Sequence, residues 1–302
     1  MKLYNIFQIL KKSRAQIEST YHNIGVLKFY IARLNLEEKI LNCRTEGVSN
    51  IKYFDYDIIV SLTTYGRRIN DVCFTIESLM QQTLKANKII LWLDESFRNS
   101  SLPNSLERQI KRGLQVNFTK DIKSYKKLIP TLRAFPNDVI ITVDDDAIYD
   151  FDFIEKNIKA HMDDPKSIYA GRIHSMTFEK NGVLKPYLKW DLNCSSKPSR
   201  HLVTGVGGVL YPPHSLHQYV FDEDVFMSIC PTADDVWFTA MAKLNGTDIK
   251  KILTRDPRGE DYISNEIVQD MALFNTNVGD GGRNDLQIKA VFSKYDIYDL
   301  IK

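Results

Sequence analysis

Cysteine is scarce in this 302-residue sequence, which contains only Cys43, Cys73, Cys194 and Cys230. The four stand far apart and form no CxxC pair, so the usual zinc-knuckle and thiol redox motifs are excluded. Scattered cysteines of this kind are typical of a reducing compartment, where they are buried as small apolar side chains. The sequence therefore predicts neither a zinc knuckle nor a redox pair.

Long apolar runs and an excess of one charge are also missing. No apolar stretch approaches the roughly 20 residues that span a bilayer, and the first ten residues lack the pattern of a signal peptide. We therefore expect a cytoplasmic protein, or one bound peripherally to the inner face of the cell membrane. Lysine and arginine number 40, and aspartate and glutamate 38. This balance gives no case for nucleic acid as a partner, since that usually needs a basic face.

The first 36 residues differ from the rest, because they hold six basic residues and one acid, a net charge of +5. Their apolar residues follow the i, i+3, i+4, i+7 spacing of a helix, beginning with Leu3, Ile6, Phe7 and Leu10. A basic amphipathic helix can lie on an anionic membrane surface. It can equally dock on the main domain or pair with a second chain. All three roles stay open for this segment.

Beyond residue 50 short apolar strands alternate with helices. The predicted strands lie at 57–64, 88–93, 115–118, 139–143, 167–171, 203–211 and 248–253, and the helices at 69–82, 106–114, 126–135, 154–162 and 236–244. This order predicts an α/β fold with a mostly parallel sheet and helices on both faces. No repeat or Pro/Gly/Ser linker interrupts it. We predict a helical extension over 1–50 and one domain over 51–302.

The strongest chemical signal is the run Asp144-Asp145-Asp146, which directly follows a predicted core strand. Three adjacent carboxylates repel one another, and a divalent cation removes that cost. Oxygen ligands suit Mn²⁺ or Mg²⁺, and such a metal neutralises a diphosphate leaving group. The alternative is an acidic turn in water. The position at a strand end favours a metal site, because ligands of such sheets bind at the carboxyl ends of strands.

Two further segments carry candidate chemistry. Asp234 and Asp235 open an apolar helix, where they can cap the helix or place a general base whose pKa is raised by its neighbour. The stretch 204–213 contains Gly207 and Gly208, which can let the backbone approach a ligand or can pack a buried strand closely. It is not the GxGxxG of a dinucleotide site.

In their order and spacing these motifs resemble the GT-A glycosyltransferases of the family 2-like and fringe-like type, across about residues 55–255. The resemblance implies a GT-A fold, a Rossmann-like mixed sheet flanked by helices, with the N-terminal helical extension outside it. It implies that the nucleotide-sugar donor is bound by Thr63, Thr64, Tyr65, Arg67, Asp94, Lys126, Lys127, Asp144, Asp145, Gly207 and Gly208. Asp146 and Asp144 would ligate the metal as in a DxD motif, and His201 would complete the metal site. Asp235, or Asp234, would be the catalytic base.

The expected function is therefore metal-dependent sugar transfer, with inversion, from a nucleoside-diphosphate sugar, which we expect to be a UDP-sugar. The expected acceptor is a glycan or lipid-linked glycan of a bacterial surface polymer, such as capsule or lipopolysaccharide. A composition rich in asparagine and lysine and the lack of the membrane anchor typical of Golgi enzymes favour a bacterial source. Two alternatives remain: another metal-dependent phosphate-transfer enzyme, such as a nucleotidyltransferase, or a non-catalytic glycan-binding scaffold on the same fold.

Overall fold

The structure, a computed structural model, describes residues 2–192, 196–256, 261–265 and 282–302. Cys194 lies outside these ranges. The strands are β1 (Ile58–Thr63), β2 (Lys88–Asp94), β3 (Leu114–Thr119), β4 (Val139–Thr142), β5 (Ala147–Tyr149), β6 (Ile168–Ser175), β7 (His201–Tyr211), β8 (Ile249–Lys251) and β9 (Tyr262–Ser264). The helices are α1 (Lys2–Asn42), α2 (Val72–Met80), α3 (Asn104–Ile110), α4 (Ile129–Ala134), α5 (Phe153–Asp163), α6 (Glu223–Ile229), α7 (Asp234–Leu244), α8 (Arg283–Lys294) and α9 (Ile297–Leu300).

Seven strands form one mixed sheet in the order β3-β2-β1-β4-β7-β6-β8. The first four of these strands are parallel, β7 is antiparallel to both of its neighbours, and β8 is parallel to β6. Strands β5 and β9 form a separate antiparallel pair. The predicted fold class is confirmed, with a mixed sheet flanked by helices and a helical N-terminal extension.

The sheet is buried on both faces, which explains why its strands appear as continuous apolar runs rather than as alternating ones. Along β1, Ile59 packs into one core cluster, whereas Ile58 and Val60 pack into the other. Successive side chains of a strand point to opposite faces, so the two clusters lie on opposite sides of the sheet. Both helical layers are therefore held by apolar burial, which is the main stabilising term in folding.

Strands β6 and β7 are joined through a bulge. Their register shifts between Ala170 and Arg172. At this point two glycines approach so closely that a Cβ on Gly171 would lie 2.4 Å from the carbonyl oxygen of Gly207. No residue other than glycine fits at either side of such a contact. The bulge bends the strands that form one wall of the site described below.

The helix α1 is one continuous helix, and its C-terminal half packs on the sheet domain. Phe29 and Ile40 are buried, and Ala32 and Leu36 pack beside them against the core cluster that contains α2. Docking on the main domain, one of the three predicted roles, is therefore found for this half of the helix. Within the described ranges, no helix combines the length and the apolar character that crossing a bilayer requires.

Candidate active site at the carboxyl ends of β1 and β4

A cavity of about 540 Å³ opens where β1 and β4 end. Its walls come from the turn after β1, the 3₁₀ helix Lys123–Lys127, the acidic run after β4, strands β6 and β7, and the start of α7. Six segments of the chain thus converge at the carboxyl edge of the parallel strands. This is the edge at which ligands of open α/β sheets bind.

The middle residue of the acidic run, Asp145, is buried and held by the protein itself. Its carboxylate accepts hydrogen bonds from Arg68 Nη1 at 2.7 Å and from Thr64 Oγ1 at 2.5 Å. The Thr75 hydroxyl donates to its backbone carbonyl at 3.0 Å. Burial raises the pKa of Asp145 to about 7, although Arg68 lowers it. Asp145 therefore fixes the loop, and its two neighbours are left to face the cavity.

Asp144 and Asp146 both line the cavity, and each meets one buried cation. Asp146 accepts from Arg68 Nη2 at 2.7 Å, and Asp144 accepts from Lys127 Nζ at 2.9 Å. Burial and the charge of Asp144 raise the pKa of Asp146, against the opposing effect of Arg68. The two carboxylates keep 28% and 13% of their side-chain surface, for Asp144 and Asp146 respectively. They are accessible enough to meet a ligand.

Lys127 links the two acidic motifs across the cavity. Its Nζ lies 2.9 Å from Asp144 and 3.1 Å from an oxygen of Asp234. Burial disfavours the ammonium, but Asp144, Asp234 and Asp235 outweigh that effect and raise the pKa of Lys127 well above its usual value. One buried ammonium thus compensates carboxylates that are about 90 residues apart in the chain.

The aspartates that open α7 occupy different environments. Asp234 is buried and accepts from Ser124 Oγ at 2.9 Å, in addition to its ion pair with Lys127. Asp235 is half-buried, and its Oδ2 accepts from the backbone N–H of Gly205 at 3.0 Å. Burial, followed by the negative charge of Asp234, raises the pKa of Asp235 to about 7. Asp234 is compensated by the protein, whereas Asp235 is poised to exchange a proton near neutral pH.

The glycine that serves the cavity is Gly205, which corrects the prediction of Gly207 and Gly208. A Cβ on Gly205 would lie 2.7 Å from Lys127 Nζ. Gly207 instead packs on the backbone of β6. Gly208 has a φ of +76°, and a Cβ there would meet the ring of Phe153 at 2.4 Å. Gly207 thus packs against β6 and Gly208 against α5, and the described lining of the cavity does not include them.

We expect Gly205→Ala to disturb the site more than the fold. The new methyl group forces Lys127 away from Asp144, and overpacking of this kind costs about 1–3 kcal/mol of unfolding free energy. Calorimetry should show weakened nucleotide binding, while urea unfolding remains cooperative. The control Gly246→Ala adds a methyl group where no atom lies within 4 Å, at a φ of +70°. It should lower stability and leave nucleotide binding unchanged. Equal binding by both variants would contradict the role of Gly205.

The nucleotide loop predicted after β1 is placed partly as expected. Thr63, Thr64 and Tyr65 line the cavity, and Thr63 Oγ1 also donates to the carbonyl of Trp92 at 2.8 Å. The basic residue of this loop in the cavity is Arg68, not the predicted Arg67. Arg67 is exposed, and the described lining does not include it. The 3₁₀ helix Gly66–Asn70 is what turns Arg68 inward.

Two further residues, Lys126 and Asp94, were predicted to bind the nucleotide-sugar donor, and only Lys126 lies in the cavity. Lys126 lines the cavity and forms an ion pair with Asp121. Asp94 lies outside the described lining, with its Oδ2 3.9 Å from Lys126 Nζ, and it accepts from the backbone N–H of Ser96. Asp94 therefore acts on the site only through Lys126 in this structure.

His201 lies away from the aspartates, which corrects the prediction that it completes a metal site. It is buried at the start of β7, with Nδ1 2.8 Å from the carbonyl of Ile249 and Nε2 3.0 Å from that of Ser196. Both ring nitrogens face backbone oxygens, so neither offers a lone pair to a metal. In the described ranges, no cluster of three or more His, Cys, Asp or Glu side chains is arranged as metal ligands.

Sequence reasoning missed one wall of the cavity, formed by Arg172, His174 and Tyr187. The imidazole of His174 stacks on the Tyr187 ring with 4.8 Å between centroids. In the described part of the chain, neither ring nitrogen of His174 has a hydrogen-bond partner. Burial, assisted by Arg172, lowers the pKa of His174 to about 4, so the ring is neutral. The sequence signal for this wall was the alternation of polar Arg172 and His174 with apolar Ile173. The predicted strand at 167–171 ended before these residues, whereas β6 continues to Ser175.

The residues that face the cavity fit a hard divalent cation. Mg²⁺ and ions like it are commonly held by one or two carboxylates, with the remaining positions filled by water and substrate phosphates. Asp144 and Asp146 supply two such carboxylates at the cavity wall. Arg68 and Lys127 compensate the two carboxylates in the structure described here. The protein therefore offers a metal two carboxylates rather than a complete set of ligands.

Comparison with protein-family models gave no match, and neither did comparison with curated proteins. Among solved structures, the chain is similar to the mannosyltransferase PcManGT from Pyrobaculum calidifontis in complex with GDP-Man and Mn²⁺, at 12% identity and a TM-score of 0.42, over 94% of this chain and 81% of that one. It is similar to S. aureus TarS 1–349 in complex with UDP, at 15% identity and a TM-score of 0.42, over 66% of this chain and 58% of that one. A third is CMP:2-keto-3-deoxy-manno-octonic acid synthetase complexed with CTP, at 12% identity and a TM-score of 0.37, over 66% and 89%. At these identities and scores, the neighbours assign no activity to this chain.

Proposed function

We propose that this protein is a metal-dependent, inverting glycosyltransferase that uses a nucleoside-diphosphate sugar, with a UDP-sugar as the expected donor. The observation that supports this most is that one cavity brings together two acidic motifs, with Lys127 paired to Asp144 of one and to Asp234 of the other. Asp144 and Asp146 suit a metal and a diphosphate, and Asp235 has a pKa of about 7. A general base works best when its pKa lies near the working pH. The proposed acceptor is a hydroxyl of a bacterial surface glycan, such as capsule or lipopolysaccharide.

On the donor side, Asp144 and Asp146 would hold Mn²⁺ or Mg²⁺, and the metal would offset the charge that develops on the departing diphosphate. Lys126 lines the same region and offers a further positive charge to phosphate oxygens. Tyr65 stands at the cavity wall with 39% of its surface exposed, and the Arg68 guanidinium lies 5.5 Å from the centre of its ring. The aromatic ring would stack on a nucleobase. Together these residues orient a nucleotide-linked sugar toward α7.

On the acceptor side, Asp235 takes the proton of the attacking hydroxyl. The acceptor oxygen then forms its bond to the anomeric carbon, and the bond to the nucleoside diphosphate breaks. The contact with Gly205 N–H holds the carboxylate in place, so that it meets the hydroxyl without reorganising. Asp234, paired with Lys127 and Ser124, positions its neighbour. This distinction favours Asp235 over Asp234 as the base.

The wall of the cavity formed by Arg172, His174 and Tyr187 fits a polyhydroxylated acceptor. Neutral His174 can accept from one hydroxyl and donate to another, and the cationic Arg172 adds donors beside it. The Tyr187 ring gives an apolar surface for the face of a sugar. A buried polar group without a hydrogen-bond partner costs free energy. A hydrogen bond from a glycan hydroxyl to this wall is therefore expected to contribute strongly to acceptor binding.

The proposal is tested by nucleotide release from a panel of UDP-, GDP-, CMP- and dTDP-sugars, first with Mn²⁺ and then with EDTA. Slow hydrolysis of one donor that stops with EDTA is the expected result. Asp146→Asn should lower that rate on the order of 100-fold, because a ligand is lost from the metal that would offset the developing charge. The control Asp163→Asn changes an exposed carboxylate at the end of α5 and should leave the rate unchanged.

Two results would replace this proposal with one of its alternatives. Pyrophosphate release from a nucleoside triphosphate and a sugar phosphate would make the protein a nucleotidyltransferase. Nucleotide binding that is independent of metal, without turnover of any donor or acceptor offered, would indicate a glycan-binding scaffold on this fold.

A further inference from the structure

The long helix α1 carries two apolar faces. One face is used inside the molecule, where Phe29 and Ile40 are buried against the sheet domain. The other face is open. It consists of six large apolar side chains, each at least 45% exposed, namely Ile17, Ile24, Leu27, Ile31, Leu34 and Leu41. With 100° per residue, this second face lies on the opposite side of the helix from Phe29 and Ile40. Among the residues that the structure describes, docking of α1 on the body therefore leaves the second face uncovered.

The open face follows a heptad repeat. Ile17, Ile24 and Ile31 recur every seven residues and occupy the a positions of a coiled coil. Leucines occupy the d positions of the same register, at Leu27, Leu34 and Leu41. The register also extends back through the sequence to Leu3, Ile6 and Leu10, with Ser13 and Thr20 as polar departures at d. Isoleucine at a with leucine at d is the combination that favours two parallel strands.

The charges along this face permit self-pairing. In a parallel pair, each g residue faces the e residue five positions further along the partner helix. Arg14 and Lys28 occupy e positions, while Gln16, Asn23 and Tyr30 at g are uncharged, so like charges do not meet. At Glu37 and Glu38 the next g and a positions are both acidic, and pairing there would bring four carboxylates together. The part of α1 whose charges allow it to pair with a second copy therefore ends after Leu34.

We propose that α1 is a dimerisation helix, whose open face pairs with the same face of a second copy of this chain as a parallel two-stranded coiled coil up to Leu34. An anionic membrane needs only a broad apolar side with basic flanks. It does not need isoleucine and leucine sorted between the a and d positions, whereas a second copy does. The pairing is independent of the proposed enzyme activity. The face opposite the coiled coil continues to hold each sheet domain.

Light scattering of the full chain over a dilution series tests the pairing. The expected mass is twice 34.9 kDa. Ile24→Glu/Ile31→Glu places carboxylates at two a positions and should halve that mass. The control Ser19→Glu/His22→Glu adds the same charge at c and f positions and should remain a dimer. Circular dichroism of both variants should match that of the unsubstituted chain, since all four positions are exposed.

Cysteine cross-linking tests the direction of the pair. In a Cys43→Ser background, Ile24→Cys should form a disulfide between two chains under mild oxidation, because a residues face each other only in a parallel pair. A monomeric unsubstituted chain would overturn the proposal, and so would a dimer that persists in Ile24→Glu/Ile31→Glu. An intact dimer without the disulfide would overturn the parallel arrangement. A monomer that sediments with phosphatidylglycerol vesicles only while its a positions are intact would assign the face to a membrane instead.

Discussion

Replacing Asp235 by asparagine is expected to lower kcat by about 10²–10⁴-fold, the usual contribution of a positioned general base. The amide oxygen of asparagine can still accept from Gly205 N–H, so the geometry of the site should be kept. What is lost is the ability to take a proton from the acceptor hydroxyl. Single-turnover rates with the donor that the nucleotide-sugar panel identifies measure the effect, and circular dichroism checks the fold.

The pH profile separates a base from a residue that only holds the structure. Burial, followed by Asp234, raises the pKa of Asp235 to about 7. A base acts when deprotonated, so kcat/KM should fall about tenfold per pH unit below that pKa. Asp235→Asn should lose this limb. Asp234→Asn removes a neighbouring negative charge, so it should move the limb to lower pH and keep most of the activity. An inactive Asp234→Asn beside an active Asp235→Asn would make Asp234 the base.

Lys127→Met is expected to have the largest effect on stability, a loss of about 3–5 kcal/mol in the free energy of unfolding. Methionine fills a similar volume but leaves the buried Asp234 and the half-buried Asp144 without their cation. Breaking a buried ion pair from one side is costly because the remaining charge stays desolvated. Urea unfolding measures the loss, and calorimetry should show that donor binding is lost as well.

The adjacent lysine supplies a matched control. Lys126 is also buried, but its partner Asp121 keeps 62% of its side-chain surface. Water can therefore solvate Asp121 in Lys126→Met, and a loss of about 1 kcal/mol is expected. Equal losses in the two variants would show that the charge of Lys127 does not matter.

The sheet and the acidic residues were predictable because their signals are local. Strands β1, β2 and β4 are short apolar runs rich in β-branched residues, and Asp144 comes two residues after the end of β4. Ligand binding at the carboxyl ends of parallel strands then placed the candidate site. Lys127 was also predicted, although its link between the two acidic motifs depends on packing between segments that no local pattern reports.

The errors arose where conformation decides which of two similar neighbours faces inward. Arg67 and Arg68 are chemically equivalent in the sequence, and only the 3₁₀ turn selects Arg68. Gly205 and Gly207 differ in the same way, since the bulge decides which glycine meets Lys127. The pairing of β5 with β9 joins segments more than 100 residues apart, and each strand is only three residues long. Strands this short leave too few residues for a periodic signal.

The bulge at Gly171 shifts the side-chain alternation of β6 by one residue. Before it, Ile168 and Ala170 point into one core cluster, and after it Ile173 does so. Without the shift, Arg172 and His174 would keep the facing of Ile168 and be directed at the core. The two-glycine contact thus turns Arg172 and His174 toward the cavity while Ile173, between them, stays in the core. Evolution, or a designed library, can change recognition at positions 172 and 174 without redesigning the core, provided that both glycines are kept.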